Sequence, residues 1–299
     1  MRPPQLRRMH LRQIEPAQKQ KQLTRQYAVR NMPYCVFRMW KLKTASFLPS
    51  TCLMTLDSLA PDNWDTPKNI LIILAHPDDP EFFCGATLAR WARAGHSLTY
   101  LLLTCGDKGF NDATTPANMT PEKLCGIRHE EQRAAANVIG AQAVHFMDVE
   151  DGYLVPGIQL RREIVREIRR HKPDILVTCD PQNLFALYGL NHPDHRACGQ
   201  VVLDAVFPAA GSPVFFPELL AEGFEPHMPK EIWCSLTSQP NTVLDVTETW
   251  EIKLEAIKMH KTQVPDPVKL VERMNSRRAE DSTEDNPRYE EKFRVVKYR

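Results

Sequence analysis

The sequence predicts an α/β fold built on a mainly parallel sheet with helices on both faces. Three observations lead there. Ile70-Leu71-Ile72-Ile73-Leu74 is an unbroken aliphatic run without polar alternation, the pattern of a strand buried on both sides. From Lys68 onward, short apolar runs alternate with helix-length segments, the spacing of right-handed βαβ units. The first run also stops abruptly at His76-Pro77-Asp78-Asp79, and open α/β sheets collect their chemistry just beyond the carboxyl ends of strands.

Taken in order, residues 70–74 form the first strand and residues 83–94 a helix closed by Gly95. Residues 98–103 are a second strand. A loop rich in Gly, Asp, Asn, Thr and Pro (104–120) leads to a helix over 121–139, ended by Gly140. Residues 144–147 read as a third strand, 158–171 as an amphipathic helix and 175–178 as a fourth strand. A loop over 179–190 precedes a helix at 193–207, a fifth strand at 232–236 and a helix at 246–260. Residues 275–287 are polar and read as a mobile loop. No internal repeat is visible.

With 42% hydrophobic and 25% charged residues, the 299-residue chain has an ordinary globular composition, and its net charge of +1 gives no argument for nucleic acid as a partner. Charge is uneven: residues 1–53 hold eleven Lys and Arg against Glu15 alone. That composition reads as a disordered basic leader over 1–60, consistent with an over-long translation start, with the fold beginning near Met54 and one domain over 61–299. Eight scattered cysteines without a Cys-x-x-Cys pair argue against thiolate zinc and a disulfide framework, and for a reducing, cytoplasmic setting. No apolar run approaches the roughly 20 residues of a membrane span.

The turn after the first strand lacks Gly-x-Gly-x-x-Gly, so a dinucleotide cannot approach the backbone there. His76, Asp78 and Asp79 supply imidazole and carboxylate for a divalent metal, with one carboxylate to spare for proton transfer. Pro-Asp-Asp is equally good turn chemistry, with Asp78 capping the next helix. Locally both readings stand. A second cluster, Asn191-His192-Pro193-Asp194-His195, follows the fourth strand, and His192 and His195, three apart, can face one side of a helix start. This too could be only a capped helix, with Asn191 or Asp194 as cap. Parallel strands place both loops on one edge of the sheet, and their convergence favours the metal.

Ala75-His76-Pro77-Asp78-Asp79 with Gly85-x-Thr87-Leu88, and then His192-Pro193-Asp194-His195, resemble the PIG-L/LmbE-type N-acetylglucosaminyl deacetylase family. Supporting segments are Thr104-Cys-Gly-Asp107-Lys-Gly109, Arg128-x-Glu130-Glu131 with Ala134-Ala-Ala-x-x-Ile-Gly140, Asp151-Gly152, His260-x-x-Gln263 and Tyr289-x-Glu291-x-Phe293-Arg294. The resemblance spans residues 68–294 and implies a Rossmann-like, LmbE-like fold and a zinc-dependent hydrolase of the acetamide of an N-acetylated sugar. By motif, it makes His76, Asp79 and His195 metal ligands, with zinc expected and Fe2+ also accommodated. It makes Asp78 the general base and His192 the oxyanion stabiliser or proton donor, with Asp194 orienting it. Arg128 becomes a candidate substrate contact. Many relatives carry Glu directly after the Asp pair, whereas this chain has Pro80 and then Glu81. Alternatives are an amidase for another acyl group, an inactive sugar-binding relative and a metal phosphoesterase, which commonly needs more carboxylates than these clusters hold. The implied partner is a small N-acetyl sugar. Oligomeric state is open.

Overall fold

The computed structural model describes residues 61–186 and 189–298. The leader over 1–60 and the start near Met54 lie outside the described residues. The elements are β1 (Asn69–Leu74), α1 (Asp79–Arg93), β2 (Ser97–Thr104), α2 (Pro121–Ile139), β3 (Ala143–Val149), α3 (Ile158–His171) and β4 (Ile175–Cys179). They continue with β5 (Phe185–Ala186), β6 (Gly189–Leu190), α4 (Pro193–Asp204), α5 (Pro217–Ala221), β7 (Glu231–Ser235), β8 (Thr242–Asp245), α6 (Trp250–Ile257), α7 (Pro267–Asn275) and β9 (Glu290–Lys297).

The seven-stranded sheet runs β3-β2-β1-β4-β7-β9-β8. Its first five strands are parallel, while β9 is antiparallel to both β7 and β8. The expected Rossmann-like architecture is therefore present, with an antiparallel edge that the sequence pattern did not reveal. Alternate residues of β1 feed two separate cores. Ile70, Ile72 and Leu74 pack with α1, α2 and α6, whereas Leu71, Ile73 and Ala75 pack with α3 and α4. Burial on both faces is why this strand reads as a continuous apolar run.

Strand order reverses between β1 and β4, which are direct neighbours with Ile72 opposite Val177. The chain leaves β1 toward β2 on one side and leaves β4 toward β7 on the other, so a crevice opens beyond their carboxyl ends. The His76 and His192 loops both begin there.

Four expectations need correction. Helix α1 begins at Asp79 rather than 83, because Pro80 occupies its first turn, where a missing N–H costs nothing. A kink at Cys84 (φ −149°, ψ 20°) separates that turn from the regular helix and hides it from periodicity. The helix expected over 193–207 leaves regular α geometry after Asp204, and 246–260 divides into a 3₁₀ turn at Thr247–Thr249 followed by α6. Finally, Cys105 and Cys125, 20 residues apart, are joined as a disulfide, with Cα atoms 5.1 Å apart. The loop after β2 and the first turns of α2 meet only in the fold, so no sequence spacing signals the pair. No described helix is long and apolar enough to cross a membrane.

Candidate active site

Beyond β1 the chain turns sharply, and Asp78 adopts φ 97°, ψ −27°, a left-handed conformation costing about 1–3 kcal/mol for a residue with a Cβ. Asp78 sits at the N-cap position of α1, yet its side chain makes no capping hydrogen bond. Its backbone N–H donates instead to Gln132 Oε1 at 2.8 Å, and its Oδ2 accepts from Arg128 at 3.1 Å. The simple capped-turn reading thus fails at the side chain, which is left for chemistry. Gln132 is itself clamped, donating Nε2 to both oxygens of buried Glu81, which pairs with His260 Nε2 at 3.1 Å. Glu81, displaced one position by Pro80, therefore holds the scaffold behind Asp78.

Asp79 points the other way. Its Oδ2 accepts the N–H groups of Ala75 (3.1 Å) and His76 (2.8 Å), and its Oδ1 lies 3.1 Å from His195 Nε2. His76 Nδ1 lies 3.4 Å from Asp79 Oδ2 and 3.1 Å from His195 Nε2. His195 Nδ1 stands 2.8 Å from Asn191 Oδ1, a partner that must accept, so its Nε2 is the nitrogen turned toward Asp79 and His76. His76, Asp79 and His195 thus place three possible metal donors within 3.1–3.4 Å of one another. Burial works to lower the His76 pKa, but the Asp79 charge, helped by Asp151 and Asp194, overrides it and holds it well above the ordinary value. Burial likewise opposes ionisation of Asp79, but His195 and His76 pull its pKa far down.

The outer partners match this set. His76 Nε2 stands 3.1 Å from Asp151 Oδ1 and 3.4 Å from Asp194 Oδ2. A carboxylate behind one imidazole and an amide oxygen behind the other is the usual support of histidine ligands. His76, Asp79 and His195, all buried, can therefore hold a metal, and their donor set is that of an open catalytic zinc site. The same ring also borders a second grouping of Asp151, His192 and Asp194. There, however, the donors are engaged: Asp194 accepts Gly152 N–H (2.7 Å) and Leu154 N–H (3.3 Å), and His192 Nδ1 accepts Asp194 N–H (3.2 Å).

That last bond makes His192 the N-cap of α4 and places its proton on Nε2, as a donor. Burial, then the neighbouring His76 and His195, lower its pKa and favour the neutral ring. The Asp194 carboxylate is hydrogen-bonded to the loop after β3 and faces His76, while its backbone N–H holds the His192 ring. Arg128, expected as a substrate contact, is buried and donates to Gly106 O (3.0 Å), Pro77 O and Asp78 Oδ2, which gives it a hold on Asp78. It passes so close to the loop that a Cβ on Gly106 would lie 2.0 Å from its Nη1. Burial raises the Asp78 pKa against the pull of Arg128, making its carboxylate more basic than usual. Gln132 was not singled out from sequence; Asp151-Gly152 was noted at a strand end, Asn191 as a possible helix cap and Glu81 as the carboxylate after Pro80, but not in these roles.

The family model described as GlcNAc-PI de-N-acetylase (PIG-L) matches residues 71–206, a span enclosing both clusters. Diacetylchitobiose deacetylase of Thermococcus kodakarensis is 32% identical over 219 residues, covering 73% of this chain and 79% of that protein. A 4-oxalmesaconate hydratase of Pseudomonas putida is 28% identical over 65% of this chain and 74% of its own length. Among solved structures, N,N'-diacetylchitobiose deacetylase from Pyrococcus horikoshii in complex with its inhibitor MPG superimposes with a TM-score of 0.68. It is 27% identical, and the match covers 77% of this chain and 84% of that one. With its two His/Asp loops meeting at the β1–β4 crevice, this chain belongs to the PIG-L family.

Proposed function

We propose that the protein is a zinc-dependent N-deacetylase that hydrolyses the acetamide of an N-acetylglucosamine-type sugar conjugate. The carrying observation is the division of labour between adjacent aspartates: Asp79 closes the His76–His195 donor set, while Asp78 lies outside it with its carboxylate uncapped. Similarity to diacetylchitobiose deacetylases supports the substrate class.

His76, Asp79 and His195 would hold the metal. When bound, a divalent cation supplies Lewis acidity, bringing the pKa of water from 15.7 to about 7 and polarising the amide carbonyl. Asp78, held in place by Arg128 and Gln132, accepts the proton of the attacking water and is positioned to return it to the departing amine. His192, neutral and with Nε2–H as donor, stabilises the negative charge that develops on the carbonyl oxygen. Asp151 and Asp194 hold the His76 ring from behind.

The test is acetate release from N-acetylglucosamine conjugates before and after chelation, with zinc or Fe2+ restored. Metal-dependent acetate release is expected. Release persisting in the metal-free protein rejects the metal mechanism. No acetate, but hydration of 4-oxalmesaconate, would place the chain with its hydratase relative. Release of other acyl groups alone would make it an amidase of different scope.

A further inference from the structure

A second cluster of metal-ligating side chains lies outside the catalytic crevice and plays no part in the chemistry above. Cys105 follows β2, Cys125 and His129 stand one turn apart on α2, and Asp148 lies near the end of β3, and their ligand atoms all lie within 4.8 Å of one another. Four ligands from three separate elements converge. Asp148 is turned toward them by a bulge: Leu102 pairs with Phe146 but Thr104 with Val149, so β3 carries one extra residue, and Asp148 takes φ 52°. His129 is fixed from both sides. Its ring stacks on Phe146 at 3.7 Å, and its Nε2 meets Asp148 Oδ1 at 2.9 Å and Cys125 Sγ at 3.8 Å.

We propose that, with Cys105 and Cys125 reduced, this cluster is a four-coordinate site of two thiolates, one imidazole and one carboxylate for a borderline-soft divalent cation of the zinc class. Zinc takes thiolate at about 2.3 Å and imidazole or carboxylate at about 2.0–2.2 Å, so tetrahedral ligand atoms stand about 3.3–3.8 Å apart. From the present spacing the two sulfurs must separate, and the His129–Asp148 pair at 2.9 Å must open slightly. Cys105 forms the buried floor and Asp148, 56% exposed at its side chain, the solvent side through which an ion can enter. All four positions are filled by protein, so the site is structural, with no place for substrate.

In the disulfide form the sulfurs offer no thiolates. A trialkylphosphine cleaves the S–S bond, the phosphine being oxidised to its oxide with one water while both sulfurs become thiols. The cation then displaces the two thiol protons. Either bond, disulfide or metal, ties the loop after β2 to α2 where Arg128, three residues beyond Cys125, crosses Gly106 toward Asp78.

Cobalt(II) separates this site from the catalytic one, because only a thiolate site gives an intense sulfur-to-cobalt charge-transfer band. Titrating the full-length, phosphine-reduced protein should produce that band, saturating at one equivalent per chain. It should be absent before reduction, lost in a Cys105→Ser/Cys125→Ser variant and retained in His195→Ala. His129→Gln and Asp148→Asn, which keep both cysteines and guard against a variant that fails to fold, should each weaken cobalt binding at least tenfold. No band in the reduced wild type, an undiminished band without the two cysteines, or unchanged affinity in both conservative variants overturns the site. A band without acetate release would count against the deacetylase reading and leave this one standing.

Discussion

Replacing Asp78 by Asn separates proton transfer from metal binding with little disturbance of the backbone. Asn tolerates the left-handed conformation at φ 97°, and the N–H bond to Gln132 does not involve the side chain. What is lost is the carboxylate and its 3.1 Å bond to Arg128, a charged contact of about 1.5–3 kcal/mol, at a side chain 18% exposed. Arg128 keeps its two backbone carbonyls, so a stability loss of about 1–2 kcal/mol is expected. Loss of the base should lower kcat by about 10²–10⁴. Asp78→Ala should match that kcat and lose about 1–2 kcal/mol more, because alanine is strained at this φ. Acetate release, urea unfolding and metal content of each purified variant give the three readouts. Zinc content falling in step with activity would show that Asp78 is a ligand, and a kcat within tenfold of wild type would show that it is not the base.

Asn191→Ala removes the acceptor at His195 Nδ1 and should weaken zinc binding about 10–100-fold in a chelating-dye competition, with folding retained. Glu291→Gln leaves buried Lys253 without its ion pair and should cost about 3–5 kcal/mol in urea unfolding; a loss below 1 kcal/mol would refute this. Asp174 accepts Asn69 N–H and pairs with Lys230; burial opposes ionisation, yet these partners hold its pKa below the usual 3.8. A carboxylate lowered on folding stabilises above its unfolded pKa and loses that effect as pH falls through the folded one. The stability gap between wild type and Asp174→Asn should therefore be full at neutral pH and close below 3.8.

Where burial imposed a period, the sequence could be read closely. Helices α2 and α3 lie where Gly140 and the amphipathic pattern of residues 158–171 put them, and β1 differs by one residue. The antiparallel edge escaped because β9 is half exposed and its register partners are distant, so its composition resembles a surface segment. In the site, His76, Asp79 and His195 were visible as two clusters at strand ends, and the sheet brought them together. The residues that steady them were not. Gln132, Asn191 and Glu81 are polar side chains whose partners lie 4 to 179 positions away, so their roles could not be read from the local pattern even where the residues stood in a motif. Pro80 changed meaning most: it sets Glu81 one step deeper into α1, against Gln132 and His260.

The kink at Cys84 also governs the order in which the molecule can be completed. It opens the hydrogen-bond ladder of α1, and the freed N–H groups of Ala86 and Thr87 are taken up by the two oxygens of Glu291. The helix that presents Asp79 is therefore finished by a strand more than 200 residues further along the chain. During synthesis the His76–Asp79 loop emerges early and waits, incomplete, until β9 adds to the sheet beside β7. Loss of that late strand would be felt first as a loosened His76–Asp79–His195 cluster, before any unfolding of the central strands.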